Sequence, residues 1–286
     1  MTGTGAGRLD TASRVSSARH RLHPFLDWPG PIPFAHRGGA GELPENTMPA
    51  FAAAVSIGYR YLETDLHLSR DGVVFAFHDD HLDRVTDRGG AIAALTAAEV
   101  ETADAGFAFS PDGGATFPFR GTGVGVPRLE EILAAWPSVR VNLDPKTNAV
   151  VEPLVTLLER MNAFDRVCVG SFSDARLTRA RRLSGGRLCT SMGPRAVAAV
   201  RACAWSGWMP RLGADCIQVP LRSGRVPLCD PAMVRAAHHA GLQLHVWTLD
   251  DEAAIERWLD HGVDGVMTDR PALLRAVLER RGQWYE

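Results

Sequence analysis

Between Glu63 and Asp80 the chain reads ETDLHLSRDGVVFAFHDD, a stretch dense in groups that can act together on a phosphate ester. Glu63 and Asp65 are two residues apart, a spacing that places both carboxylates on one face of an extended strand. Arg70-Asp71-Gly72 reads as a tight turn, and the apolar run from Val73 to Phe77 leads back to His78, so the expected hairpin returns an imidazole toward the two acids. His36 and Arg37 lie upstream, and Asp144 and Lys146 downstream.

Two or three carboxylates suit a hard divalent cation and leave positions for water and phosphate oxygens. Glu63, Asp65 and Asp144 meet that need if their strand ends converge, whereas helix caps or salt bridges account for isolated acids equally well. Two histidines exchange protons near neutral pH. Arg37, Lys146 and a cation can stabilise charge that builds on phosphoryl oxygens. The attacking group is then water or a hydroxyl beside the ester. Zinc ligation by His36 and His78 is the alternative, but the spacing from His36 to Asp65 matches no compact zinc signature.

These side chains meet only if the elements carrying them converge. Strand-like runs end near His36, Asp65, Asp144, Ser171, Thr190, Val219, Thr248 and Thr268, and helix-compatible stretches follow most of them. Eight such units close an α/β barrel, a (β/α)₈ TIM barrel, with polar groups at the C-terminal ends of its strands. A doubly wound open sheet explains those polar ends less economically. Thr47 is a helix N-cap, with Pro49 in the first turn and Gly58 as terminator. Too few residues separate Val73 to Phe77 from Glu63 for a crossover helix, so that run is expected in a hairpin projecting from the second strand.

Residues 1–19 read as a flexible N-terminal tail, and 20–286 as a single barrel domain with an insertion at about 87–127. Leu22 to Pro33 is an irregular lead-in suited to closing one end of the fold. Within the insertion, Leu95 to Asp104 suits a short helix. The glycine- and aromatic-rich stretch 106–127 suits a lid or binding loop. A second unusual connection carries Trp205, Trp208, Met209, Pro210 and Arg211.

The chain has 286 residues, 45 % hydrophobic and 22 % charged, which is an ordinary globular composition rather than a disordered one. With 31 Lys and Arg against 33 Asp and Glu, no global charge points to a nucleic-acid partner. Cys168, Cys189, Cys203, Cys216 and Cys229 lack the close pairs of a zinc or redox motif. Cys168, Cys189 and Cys216 read as small buried hydrophobes, which favours a reducing, cytoplasmic setting. No apolar signal region and no run of about 18 apolar residues is present. Arg176, Arg179, Arg181 and Arg182 read as a solvated helix face, with peripheral contact to membrane lipid as the alternative.

HRGG at 36–39, PENT at 44–47, ETDLHLSRDG at 63–72 and FHDDHLDRVT at 77–86 resemble the glycerophosphodiester phosphodiesterase family. The resemblance continues through LEEIL at 129–133, NLDPK at 142–146, Ser171-Phe172, VWTLD at 246–250 and VDGVMTDRP at 263–271. It implies a TIM barrel that hydrolyses small glycerophosphodiesters to sn-glycerol 3-phosphate and an alcohol, using one divalent cation, Mg²⁺ or Ca²⁺. A lysophospholipase D-type reaction and a catalytically weak phosphate-binding barrel are the alternatives. By position, the resemblance implies His36 and His78 as the acid/base pair and Glu63, Asp65 and Asp144 as cation ligands. Arg37, Lys146 and Trp247 become substrate contacts. Asp144 stands where the family usually has glutamate, and Asp250 where asparagine is common.

Overall fold

The computed structural model describes residues 22–203 and 213–286. The tail at 1–19 and the connection bearing Trp205, Trp208, Met209, Pro210 and Arg211 lie outside the described residues. In chain order the elements are β1 (Ile32–His36), α1 (Met48–Ser56), β2 (Tyr61–Leu68), β3 (Val74–Ala76), α2 (Ala97–Val100), α3 (Leu129–Ala135), β4 (Arg140–Pro145) and α4 (Val151–Arg160). Then follow β5 (Val167–Val169), α5 (Asp174–Leu183), β6 (Cys189–Thr190), α6 (Pro194–Cys203), β7 (Cys216–Pro220), β8 (Arg222–Ser223) and β9 (Val226–Pro227). The chain finishes with α7 (Pro231–His239), β10 (Gln243–Trp247), α8 (Glu252–Asp260), β11 (Gly265–Thr268) and α9 (Pro271–Arg280).

Eight parallel strands run in the order β6-β5-β4-β2-β1-β11-β10-β7. A parallel bridge between Ser191 and Cys216 joins the two ends of that order. Two backbone bonds support it, from Asp215 N–H to Thr190 O at 2.9 Å and from Met192 N–H to Cys216 O at 3.0 Å. The ring excludes the open-sheet alternative and, among the described residues, leaves its eight strands no long free edge.

Strand β2 shows how the sequence serves both faces. Leu62 and Leu66 point outward into the helix-facing core with Phe51, Leu143 and Leu154, while Tyr61, Glu63 and Asp65 alternate inward. Tyr61 joins Phe25, Phe34 and Met267 in the barrel interior; burying each of these large side chains contributes about 1.5–3 kcal/mol. The lead-in closes that end as expected: a 3₁₀ turn at Pro24–Leu26 accepts Tyr61 Oη–H at Phe25 O, 2.7 Å, and Gln243 Nε2–H at Leu26 O, 3.0 Å.

At the opposite end, β3 pairs antiparallel with β2, Leu66 opposite Ala76 and Leu68 opposite Val74. The turn closes through Gly72 N–H to Ser69 O at 3.0 Å, with Gly72 at φ 88°, a conformation glycine adopts without strain. Phe75, Phe77, Leu82, Ile92, Val100 and Val126 form a satellite cluster that joins the hairpin to the insertion. The expected helix at Leu95–Asp104 is shorter, Ala97–Val100, with a Thr96/Glu99 capping box. Asp104 instead commits its carboxylate to the N–H groups of Gly106 and Gly121, at 2.9 and 2.7 Å, which turns the chain. Among the described residues, no helix is long and apolar enough to cross a membrane.

Candidate active site

Parallel register assembles the site. His36, the last residue of β1, lies beside Glu63 of β2; Asp65 lies beside Asp144 of β4. Side chains at these paired positions project into the same end of the barrel, so three strands bring one imidazole and three carboxylates together. The turn after β1 is set by Arg37 at φ 51° and by glycines at 38 and 39 with φ 82° and 107°. A left-handed arginine is a strained backbone of the kind that clusters at functional sites. Here it directs Arg37 N–H to Glu63 Oε2 at 3.3 Å, Nη1 to Glu45 Oε1 at 3.2 Å, and Nε to within 3.0 Å of Asp65 Oδ2.

Each of the two histidines has its Nδ1 fixed by an aspartate. His36 Nδ1 meets Asp269 Oδ1 at 2.6 Å, and His78 Nδ1 meets Asp79 Oδ1 at 2.6 Å. A carboxylate at Nδ1 holds the proton there and leaves Nε2 as the working nitrogen. His36 Nε2 lies 3.7 Å from Glu63 Oε2. The hairpin that carries His78 is pinned twice: Phe77 N–H donates to Asp65 O at 2.9 Å, and His67 Nε2 meets His78 O at 3.0 Å.

Electrostatics separates the acids. Burial, then the neighbouring charge of Asp65, pushes Glu63 up to about 7. Burial also acts to raise Asp65, but Lys146 and Arg37 outweigh it and hold Asp65 below the ordinary range. Asp144 is raised, by burial against the pull of Lys146. Burial would lower His36; Glu63 and Asp269 overcome it and leave the ring raised.

Lys146 Nζ bridges Asp65 Oδ1 at 2.6 Å and Asp144 Oδ2 at 2.7 Å. Asp144 Oδ1 is buried with no hydrogen-bond partner. Glu63, Asp65 and Asp144 are all buried and offer only oxygen, the donor chemistry that suits a hard divalent cation.

His36, Arg37, Glu63, Asp65, His78, Asp144 and Lys146 therefore form one cluster of interacting charges. Trp247, at the end of β10, stands edge-on to Phe172, which follows β5, at 5.6 Å and 90°, so the pair lies at the C-terminal ends of the strands. Glu45-Asn46-Thr47 supports the site from behind: Glu45 holds Arg37, Asn46 Oδ1 accepts Thr64 Oγ1–H at 2.7 Å, and Thr47 caps α1.

Sequence reasoning assigned no role to Asp269 or Asp79, although both fall in the quoted motifs. Asp250 belongs to the same network, since its Oδ1 accepts Thr268 Oγ1–H at 2.9 Å and Asp269 N–H at 2.6 Å. The sequence reads Arg176 as part of one helix face with Arg179, Arg181 and Arg182. Its Nη1 instead donates to Pro145 O at 2.7 Å and Ser171 Oγ at 3.3 Å, while Arg181 reaches Thr190 Oγ1 at 2.7 Å and Arg179 pairs with Glu152. These three side chains thus turn to different partners.

Comparisons with known proteins bear on the chain as a whole. Residues 36–273 match the glycerophosphoryl diester phosphodiesterase family. The chain is 41 % identical over 269 residues to the Mycobacterium tuberculosis protein named probable glycerophosphodiester phosphodiesterase 2, covering 91 % of this chain and 95 % of that one. It is 26 % identical to human lysophospholipase D GDPD1, covering 85 % of each chain. The crystal structure of glycerophosphodiester phosphodiesterase from Agrobacterium tumefaciens superposes with a TM-score of 0.72 at 25 % identity, covering 86 % of this chain and 99 % of that one.

Proposed function

The chain belongs to the glycerophosphoryl diester phosphodiesterase family, and from that premise we propose that it cleaves glycerophosphodiesters to sn-glycerol 3-phosphate and an alcohol with His36 and His78 as base and acid. The observation that carries this reading is the pair of aspartate-fixed imidazoles, each at 2.6 Å, beside one carboxylate cluster.

Glu63, Asp65 and Asp144 would hold a divalent cation, Mg²⁺ or Ca²⁺, which when bound supplies Lewis-acid polarisation of the phosphoryl group. Arg37 and Lys146 bind the non-bridging oxygens and stabilise charge that develops there. His36 Nε2 takes the proton of the attacking hydroxyl, from water or from the glycerol carbon next to the ester. His78 Nε2 gives a proton to the departing alkoxide. The assignment follows exposure: the His36 side chain is 14 % exposed and that of His78 35 %, so the deeper ring faces the retained glycerol and the shallower one the leaving alcohol.

The Phe172–Trp247 pair favours a second reading on larger substrates. Phe172 is 63 % exposed, and an apolar wall at the mouth suits an acyl chain, as the resemblance to a lysophospholipase D suggests. Cys168, Cys189, Cys216 and Cys229 are free thiols, which supports a cytoplasmic setting.

The test is release of sn-glycerol 3-phosphate from glycerophosphocholine and glycerophosphoethanolamine after chelation and after adding back Mg²⁺ or Ca²⁺, run beside matched lysophospholipids. Chelator-sensitive, cation-restored release that is lost in well-folded His36→Ala and His78→Ala supports the proposal. Turnover near wild type in either variant removes that histidine from its role, and preference for the acylated substrates selects the second reading.

A further inference from the structure

Away from the catalytic mouth, β5, β6 and β7 each turn one cysteine into the barrel. Cys168 and Cys189 are register partners, and Cys216 sits on the strand that the Ser191 bridge joins to them. All three are 0 % exposed. Their sulfurs lie within 4.8 Å of one another, with Cys168 Sγ and Cys216 Sγ at 3.9 Å. That separation is far beyond a disulfide bond of about 2.05 Å. It does suit a shared ion: metal–sulfur bonds of about 2.3 Å around one centre need sulfurs about 4 Å apart.

We propose that Cys168, Cys189 and Cys216 bind one soft, thiophilic cation of the zinc–cadmium class, at a site separate from the carboxylate cluster of Glu63, Asp65 and Asp144. The two ligand sets divide ions by softness, since thiolates select soft cations and carboxylates hard ones. The apolar neighbours of the thiols include Phe25, Phe34 and Met267, and the titratable groups that face them are Tyr61, His245, Asp215 and His23.

The site also lies where the barrel is least tied together. β5 and β6 share two register pairs, and β6 meets β7 through a single bridge. An ion held by all three strands staples that seam, and the same sparse pairing gives it a way in. Cysteines ligate as thiolates, so metal binding competes with protons and affinity falls as pH falls.

Reduced, metal-stripped full-length protein titrated with Cd²⁺ alone tests this, followed by competition with Zn²⁺. The expected result is an ultraviolet thiolate-to-metal charge-transfer band that saturates at one equivalent, with proton release and a higher melting temperature. Saturating Mg²⁺ leaves the band in place. The band is lost in Cys168→Ala/Cys189→Ala/Cys216→Ala and in single Cys216→Ser, and kept in Cys203→Ser/Cys229→Ser. No band in folded wild type, a band that appears only on denaturation, displacement by Mg²⁺, or persistence in the Cys216 variant overturns the proposal and leaves three hydrogen-bonded thiols packed as small hydrophobes.

Discussion

Asp269 and His36 are 233 residues apart in the chain, yet Asp269 Oδ1 lies 2.6 Å from His36 Nδ1. Barrel closure makes the contact: β11 pairs with β1, Ala35 opposite Thr268, so the residue after β11 reaches the residue that ends β1. Asp250 holds Asp269 in turn by accepting its N–H.

Asp269→Asn tests that arrangement. The amide can donate to Nδ1 and force the proton onto Nε2, so His36 presents a donor where the proposed reaction needs an acceptor. We expect kcat to fall by on the order of 10²-fold or more. The rising limb of the pH–rate profile should move to lower pH, because Asp269 helps to hold His36 up. An unchanged kcat and profile would remove Asp269 from the mechanism.

Lys146→Met leaves Asp65 and Asp144 without their shared ammonium. Without cation, the variant should lose on the order of 3 kcal/mol, toward the low end for a broken buried ion pair, because the Lys146 side chain keeps 21 % exposure. Mg²⁺ or Ca²⁺ should restore much of that loss. Urea unfolding with and without cation measures it, and a cation-insensitive variant would contradict the assignment of the acids as ligands.

Arg176→Met should weaken cation binding by about 10-fold or more, the usual effect of losing a group that orients ligands. Arg176 fixes the strand end that carries Asp144 and Lys146 through Pro145 O. Its charge is the weakest of the influences on Asp144, so lost positioning outweighs relieved repulsion. Titration calorimetry decides the sign; tighter binding in the variant would refute the positioning role, and Arg176→Lys should restore part of the loss.

His245 supplies a pH dependence of stability. Burial, with the ring 0 % exposed, holds its pKa below 6.5, whereas in the unfolded chain it titrates near 6.5. Its contribution is therefore complete above about pH 6.5 and is lost as pH falls toward the folded value, at up to about 1.4 kcal/mol per pH unit. Glu63, raised to about 7, works in the opposite direction. The comparison is therefore wild type against His245→Gln by urea unfolding from about pH 5 to pH 7. The gap between them should change with pH in that window, and a constant gap would disprove the assignment.

The barrel was legible because β1, β2 and β4 carry apolar alternation that ends in functional groups at the same level. The carboxylates and histidines could be read from motif and period for that reason. Asp269 was not, because its role exists only once the ends of the barrel meet. The place of Arg176 is not legible either, since helical spacing cannot tell a side chain that turns back to a strand end, as this one does at Pro145 O, from one facing water. The insertion had no period to read. It is held by local contacts such as Arg120, whose guanidinium lies over Phe107 at 4.2 Å and Phe117 at 3.8 Å.

The satellite cluster beneath the hairpin divides the two histidines between packing units of unequal size. His36 rests on the barrel wall, while His78 ends a hairpin whose Phe75 and Phe77 pack with the insertion. Smaller cooperative units open at lower free energy than the whole fold. Warming should therefore silence the enzyme before the barrel melts, and cooling from that interval should restore turnover without refolding. Activity and near-ultraviolet signal would report the early event, with far-ultraviolet signal following at higher temperature.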